Sequence, residues 1–98
     1  MPEITIIYWR DIPAQVIVGS GRRAAKRALP ERFEQAIDRA AMRSGAAETD
    51  AYLADFKKVP SGSAEGEADA IAADIAARIE GEYDQPRLKA LIDNDGRA

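Results

Sequence analysis

The sequence predicts a small α/β protein of the α+β type, in which a three-stranded, largely antiparallel sheet is covered by three or four helices. Residues 4–9 and 14–18 are rich in β-branched and aromatic side chains, which favour strands. Residues 33–41 and 68–79 repeat apolar side chains at helical spacing, which is typical of helices with one buried face. The chain has 98 residues and no boundary between two such patterns, so we expect a single domain over residues 1–98.

The two amino-terminal strands are expected to pair as a hairpin, with the first strand in the centre of the sheet. Pro13 interrupts the apolar run and holds the preceding residue in extended geometry. Both strands are nearly continuous in apolar residues, which indicates that helices cover at least one face. A third strand is predicted over residues 51–59 from alternating apolar and polar positions. Thr49 and Asp50 equally suit the cap of a short helix in the same place.

Two helices are predicted between the hairpin and Gly45. The first covers residues 22–29, with alanines on one face and basic side chains on the other. Pro30 either kinks this helix or opens the next one, because proline is tolerated in a first helical turn. The second helix carries the apolar stripe at residues 33–41 and stops at Gly45.

The carboxy-terminal part, residues 63–92, is predicted to be alanine-rich and helical. Residues 60–63 form a loop in this interpretation, and Ser63 is a candidate helix cap. Asp84 precedes a Gln-Pro pair and is typical of a fresh helix start. The tail at residues 93–98 is expected to fray.

The predicted core is thin. Hydrophobic residues make up 46% of the chain, but 20 of them are alanines, which bury little area each. A homodimer or a protein partner is therefore expected to complete the structure. The core should unite residues from the first two strands and from two of the helices, namely Ile6, Val16, Phe33, Ile37, Ile71, Ile75 and Ile79.

The absence of cysteine and histidine narrows the chemistry that the chain can perform. Without them there is no disulfide, no thiolate nucleophile, no zinc site of the usual kind and no Ser-His-Asp arrangement. Pairs of carboxylates occur only four residues apart on the outside or at the ends of predicted helices. No pocket is predicted there that would make their two pKa values differ, as a catalytic pair requires. We therefore expect no catalytic residue, no metal site and no cofactor, and we expect the protein not to be an enzyme.

Charge and hydropathy exclude two further classes of partner. The net charge of −3 argues against general nucleic-acid binding, since such domains carry a basic excess. The longest apolar run, residues 4–9, is far shorter than a bilayer-spanning segment, and the amino terminus lacks a signal-peptide pattern. The sequence thus predicts a cytoplasmic protein with no membrane association.

A glycine turn followed by basic residues forms a candidate anion site, made of Gly19, Ser20, Gly21, Arg22 and Arg23. The predicted helix would begin there, and its free N–H groups and dipole favour an anion. The segment is neither a P-loop nor a dinucleotide-binding fingerprint, because the residues that complete those motifs are missing. The alternative is an ordinary turn before a solvated basic helix face.

Five residues are candidates for contact with a partner. Tyr8 and Trp9 lie on opposite faces of one strand, so one of them is available for a binding face, with Arg10 beside it. Lys26 and Arg27 lie on the exposed basic face of the predicted helix. For Trp9, core packing between sheet and helix is the competing interpretation.

Residues 8–17, which read Tyr-Trp-Arg-Asp-Ile-Pro-Ala-Gln-Val-Ile, together with residues 29–33 and 36–42, resemble a small bacterial family described only as virulence factor. The resemblance covers residues 3–59. It implies a domain that stands alone in proteobacteria and is joined to helical repeats in some Gram-positive proteins. It also implies an association with folate- or corrinoid-dependent one-carbon enzymes, and it carries over no catalytic residue.

Two functions follow as expectations. The first is a non-enzymatic accessory module that binds a partner protein, which the thin core and the implied modular occurrence favour. The alternative is a small anion- or phosphate-binding protein that uses residues 19–27.

Overall fold

The computed structural model describes residues 2–19, 21–45 and 48–98, which form one four-stranded sheet and four α-helices. The α+β class is confirmed, with one strand more than expected. In chain order the elements are β1 (Glu3–Trp9), β2 (Ile12–Val18), β3 (Ala25–Ala28), α1 (Glu31–Ser44), α2 (Thr49–Ala54), β4 (Phe56–Ser63), α3 (Ala68–Glu82) and α4 (Gln85–Asp93).

The sheet is antiparallel throughout, in the order β3-β2-β1-β4. The predicted hairpin of β1 and β2 is confirmed, and both of its strands are internal. The register pairs Ile6 with Val16 and Ile7 with Gln15, and it shifts immediately after Ile7. Ile6 and Val16 therefore share one face of the sheet, whereas Ile7 and Gln15 share the other.

The predicted helix over residues 22–29 is wrong. A single 3₁₀ turn, Gly21–Arg23, leads instead into the short edge strand β3, which pairs with β2. Gly19 and Gly21 have positive φ angles of 95° and 65°, which allow the chain to reverse here. Alanine and arginine favour helix locally, but pairing with β2 and burial of Ala25 outweigh that preference.

Residues 51–59 contain both of the predicted alternatives in succession. The short helix α2 ends at Ala54, and β4 begins at Phe56. β4 continues through residues 60–63, so the loop predicted there is wrong, and the sheet edge accepts Pro60 because that strand pairs on one side only. Ser63 is consequently a strand residue and not a helix cap.

The remaining helix boundaries follow the sequence closely. α1 begins after Pro30, which opens the helix, and Gly45 ends it in a left-handed conformation with φ 78°. The carboxylate of Asp84 accepts the backbone N–H of Arg87 at 3.0 Å, which confirms the predicted start of α4. No helix in the described parts of the chain is both long enough and apolar enough to cross a bilayer.

The tail after α4 differs from the frayed end that the sequence indicates, because it packs against the β1–β2 turn. The carbonyl of Gly96 accepts the N–H of Asp11 at 2.8 Å, and the N–H of Ala98 donates to the Asp11 carboxylate at 2.7 Å. Gly96 itself lies against the Trp9 ring.

The helices cover the sheet unequally. α3 packs on β2 and β3, on the face that carries Ile6 and Val16. α1 packs on β2 and against α4, and α2 meets the end of β1, where Trp9 is fully buried and bonded to Tyr52. The predicted core residues are buried in one cluster, except Ile75, which is half-buried at its margin.

Candidate interaction surface

Trp9, one of the predicted contact residues, has no exposed surface. Its indole N–H donates to the carbonyl of Tyr52 at 2.8 Å, and the two rings lie 6.0 Å apart. A side chain without exposed surface touches no partner in this conformation. Trp9 therefore joins β1 to α2 inside the protein, as the core-packing interpretation required.

Arg10 is held by contacts within the fold. Its Nε pairs with Asp55 at 3.0 Å, its Nη1 donates to the carbonyl of Asp95 at 2.7 Å, and its guanidinium lies 4.7 Å from the centroid of the Trp9 ring. Arg10 also has a positive φ of 53°, which is uncommon outside glycine. These contacts fix the hairpin turn to the start of β4 and to the tail.

Tyr8, the third predicted contact residue of β1, is half-buried and lies in a shallow cleft with Tyr83 and Arg87. The guanidinium of Arg87 sits 4.0 Å from the centroid of the Tyr83 ring. Of Tyr8, Trp9 and Arg10, Tyr8 is the residue whose ring lines a surface cleft.

An apolar cleft of about 620 Å³ lies between helices α1 and α2 and the face of the sheet that carries Ile7 and Gln15, and we name it the α2 cleft. A volume of this size falls within the roughly 300–1,000 Å³ of small-molecule and peptide-anchor sites. Its lining is mainly apolar and comprises Ile7, Ala14, Gln15, Ala28, Leu29, Glu34, Ile37, Tyr52, Leu53, Phe56, Lys57 and Lys58.

The wall of the α2 cleft is built by the short helix and the strand that follows it. Tyr52 and Phe56 pack edge to face with their centroids 5.2 Å apart, and the Tyr52 hydroxyl donates to Asp38 at 3.3 Å. Leu53, beside them, is 58% exposed, so an apolar side chain stands at the mouth of an apolar cleft.

One residue pattern in the sequence is a signal of the α2 cleft. In the strand predicted over residues 51–59, Leu53 falls on the polar side with Asp55 and Lys57. A leucine on an otherwise polar face is a signal of exposed apolar surface. The sequence alone does not locate the cleft, because its position depends on α2 and β4, which occupy the segment predicted as a single strand.

The basic residues predicted to bind an anion or a partner lie at the β3 edge of the sheet. Arg22, Arg23, Lys26 and Arg27 are all exposed, and none forms an ion pair within the described residues. Ser20 lies outside the described residues. No α-helix begins at Gly21, so the helix dipole on which the anion prediction depended is missing there. Anion binding by these residues stays a prediction that rests on side-chain charge alone.

The described residues hold no cluster of three or more side chains of the metal-binding types. Tyr8 and Tyr52, which line the two clefts, have raised pKa values. Burial raises the pKa of Tyr8 above its ordinary value of 10.0, and the neighbouring Tyr83 and Glu82 raise it further. Burial also raises the pKa of Tyr52, and the carboxylate of Asp38 adds to that effect.

These shifts predict a loss of stability in alkali. A tyrosine whose pKa is higher in the folded state stabilises the fold fully below 10.0, and this contribution disappears as the pH rises through the folded pKa. The free energy of unfolding measured by urea denaturation should therefore fall above pH 10.0, and the fall should be smaller in Tyr52→Phe. An identical pH dependence in Tyr52→Phe and the parent would contradict the assignment.

Comparison with known proteins adds one finding to this geometry. No curated protein and no solved structure matches the chain. A family model described as virulence factor matches residues 7–92, so the similarity continues past residue 59 through α3 and into α4. The matched segment begins at Ile7 inside β1 and ends at Ile92 inside α4, so it contains every residue that lines the α2 cleft. Because the match covers most of the chain, the protein belongs to the virulence factor family.

Proposed function

We propose that the protein is a non-enzymatic accessory module that binds a partner protein through the α2 cleft. The observation that carries the proposal is the exposed apolar surface at this cleft, where Leu53 is 58% exposed beside Tyr52 and Phe56. Apolar side chains that cluster around a concave surface of a small domain mark sites of association. An aromatic wall with an aliphatic rim suits an apolar anchor residue.

The charges around the α2 cleft favour an acidic segment on the partner. Lys58 lines the cleft, and Lys26 lies on the same face of the sheet at the opposite edge. Glu34 on α1 is the carboxylate in the lining. We therefore assign as ligand a segment with one apolar anchor residue and acidic neighbours that face β3 and β4.

The resemblance noted in the sequence extends the proposal to a class of partner. Folate- or corrinoid-dependent one-carbon enzymes are the partners it implies, and binding to such an enzyme would make this protein its accessory subunit. The enzyme would then supply the chemistry, which agrees with the absence of histidine and cysteine here.

The test compares Leu53 with Met42, the two large apolar side chains that are exposed among the residues that the structure describes. Leu53→Arg introduces a charge at the cleft mouth, whereas Met42→Arg introduces the same charge on α1, where Met42 is 73% exposed outside the cleft. Tagged forms of both variants and of the parent are used to capture proteins from native lysate, with quantitative mass spectrometry and light scattering.

We expect Leu53→Arg to lower the recovery of a specific partner by at least about tenfold, because a charge placed in an apolar contact costs several kcal/mol. Met42→Arg should leave that recovery within about twofold, as exposed substitutions usually do. Circular dichroism confirms that both variants fold. Equal recovery of every captured protein by the two variants would refute binding through the α2 cleft.

A further inference from the structure

A second groove, distinct from the α2 cleft, runs between α1 and α4. It has a volume of about 590 Å³ and is lined by Arg32, Gln35, Ala36, Arg39, Gln85, Pro86, Leu88, Lys89 and Ile92. The lining contains three cations and two amides but no carboxylate, in a chain whose net charge is −3. The groove is therefore a local reversal of the protein's overall charge.

Helical spacing explains how these groups come to face one another. Arg32, Gln35 and Arg39 follow each other at three and four residues on α1, which places them along one stripe. Gln85 and Lys89 are four residues apart on α4, on the stripe that lines the opposite wall. Donor groups from two packed helices thus converge on one space.

Arg32 is fixed in position at one end of the groove. Its Nη2 donates to the carbonyl of Glu80 at 2.9 Å, and its guanidinium lies 5.0 Å from the centroid of the Phe33 ring. The Nε of Arg32 is buried and has no acceptor among the described residues. A ligand in the groove cannot reach this buried atom, so it would bind the part of the Arg32 guanidinium that stays accessible, since the residue as a whole is half-buried. A guanidinium fixed at the groove favours a ligand that supplies carboxylate or phosphate oxygen atoms.

Arg39 and Lys89 are exposed, and neither forms an ion pair in the part of the chain that the structure describes. The positions three and four residues from Arg39 hold no acid, since they are Gln35, Ala36, Met42 and Arg43. Asp84, at the start of α4, caps the helix by accepting the N–H of Arg87. Asp93 lies four residues after Lys89 on α4, but no ion pair joins these two side chains. Both cations are therefore available to a ligand.

The separation of the cations indicates the shape of that ligand. Arg32 and Arg39 are seven residues apart on one helix, which corresponds to about 10 Å along its axis. The geometry points to a binding site for an elongated small anion that carries two carboxylate or phosphate groups about 10 Å apart. The amides of Gln35 and Gln85 are placed to bind polar groups between the two charges, and Leu88 and Ile92 contribute apolar surface.

Calorimetric titration at low salt tests this site with ligands of defined length. Suberate and hexane-1,6-diyl bisphosphate carry their charges at about the required separation, succinate is the short dicarboxylate, and octanoate has one charge. We expect either long dianion to bind at least about tenfold more tightly than succinate or octanoate, because only it meets both arginines. The two long ligands show whether carboxylate or phosphate is preferred.

Two double variants of the protein test which cations bind the dianion. Arg39→Gln with Lys89→Gln removes two cations from the groove, and Arg27→Gln with Lys26→Gln removes the same pair of residue types from the β3 edge. The first pair should weaken binding of the long dianion by about tenfold or more, and the second by about twofold or less, since distant exposed charges are screened. Arg32 is left intact because it packs on Phe33.

Three results would overturn the assignment. They are a loss of affinity in the β3 pair that equals or exceeds the loss in the groove pair, equal affinity for the long and short dicarboxylates, and no heat with any dianion at low salt. A greater loss in the β3 pair would place anion binding at the sequence-predicted residues instead of in this groove. The proposed function is independent of these outcomes, because its test uses Leu53 and Met42.

Discussion

Replacing Trp9 by alanine is expected to lower the free energy of unfolding by about 3–5 kcal/mol, the usual cost of truncating a buried aromatic side chain. Trp9 is fully buried where β1, α2 and the carboxy-terminal tail meet. Its removal leaves a cavity and also leaves the carbonyl of Tyr52 without its donor. Small domains have only about 5–15 kcal/mol of total stability, so this variant should be close to unfolding.

Urea denaturation followed by far-ultraviolet circular dichroism measures the effect, because Trp9 is the only tryptophan and fluorescence is lost with it. Trp9→Phe is the control. It keeps most of the apolar volume but loses the hydrogen bond to Tyr52, so its cost should be clearly smaller than that of Trp9→Ala. A Trp9→Ala variant within about 0.5 kcal/mol of the parent would show that the ring is not a core residue.

The elements that the sequence predicted well are those whose signal is local. The β1–β2 hairpin follows from two β-branched runs around Pro13, and α1 follows from its apolar stripe and from Gly45. The start of α4 follows from the capping group of Asp84. In each case the residues that determine the structure are neighbours in sequence, so propensity and capping suffice.

The errors lie where a distant partner decides the conformation. Residues 25–28 have the composition of a helix but become β3, because β2 offers hydrogen bonds and α3 covers Ala25. Likewise Pro60 and Gly62 read as a loop but extend β4, because β1 pairs with that strand. The residues of these two segments contain no information about the strands β2 and β1 with which they pair.

Candidate sites were harder to predict than the fold for the same reason. The spacing of Arg32, Gln35 and Arg39 is apparent in the sequence, yet it describes an ordinary solvated helix face until α4 places Lys89 opposite. Trp9 and Arg10 are residue types typical of binding sites, but Trp9 is buried in the core and Arg10 pairs with Asp55 within the fold. A functional surface depends on which faces remain uncovered, and that is a property of the assembled structure.

The second large effect is expected for Gly96→Ala, which tests the docked tail. Gly96 has a φ of 85°, and a Cβ atom added there would lie 2.8 Å from Cζ3 and 3.3 Å from Cε3 of Trp9. The left-handed backbone alone costs a non-glycine residue about 1–2 kcal/mol. Crowding against a buried ring adds about 1–3 kcal/mol.

Gly45→Ala separates these two contributions. Gly45 has a φ of 78°, close to that of Gly96, but a Cβ atom there meets nothing within 4 Å. We expect Gly45→Ala to cost about 1–2 kcal/mol from backbone strain, and Gly96→Ala to cost about 2–5 kcal/mol from strain and crowding together. The difference between the two variants in urea denaturation measures the contact between the tail and Trp9.

The tail has one way to avoid this contact, which is to leave the Trp9 ring. It would then give up the hydrogen bond from Asp11 to the Gly96 carbonyl at 2.8 Å and the bond from the Arg10 guanidinium to the Asp95 carbonyl. Limited proteolysis should therefore cleave the carboxy-terminal segment faster in Gly96→Ala than in Gly45→Ala, because release of the tail exposes its backbone. Equal stabilities and equal cleavage rates in the two variants would mean that the tail is not held against Trp9 in solution.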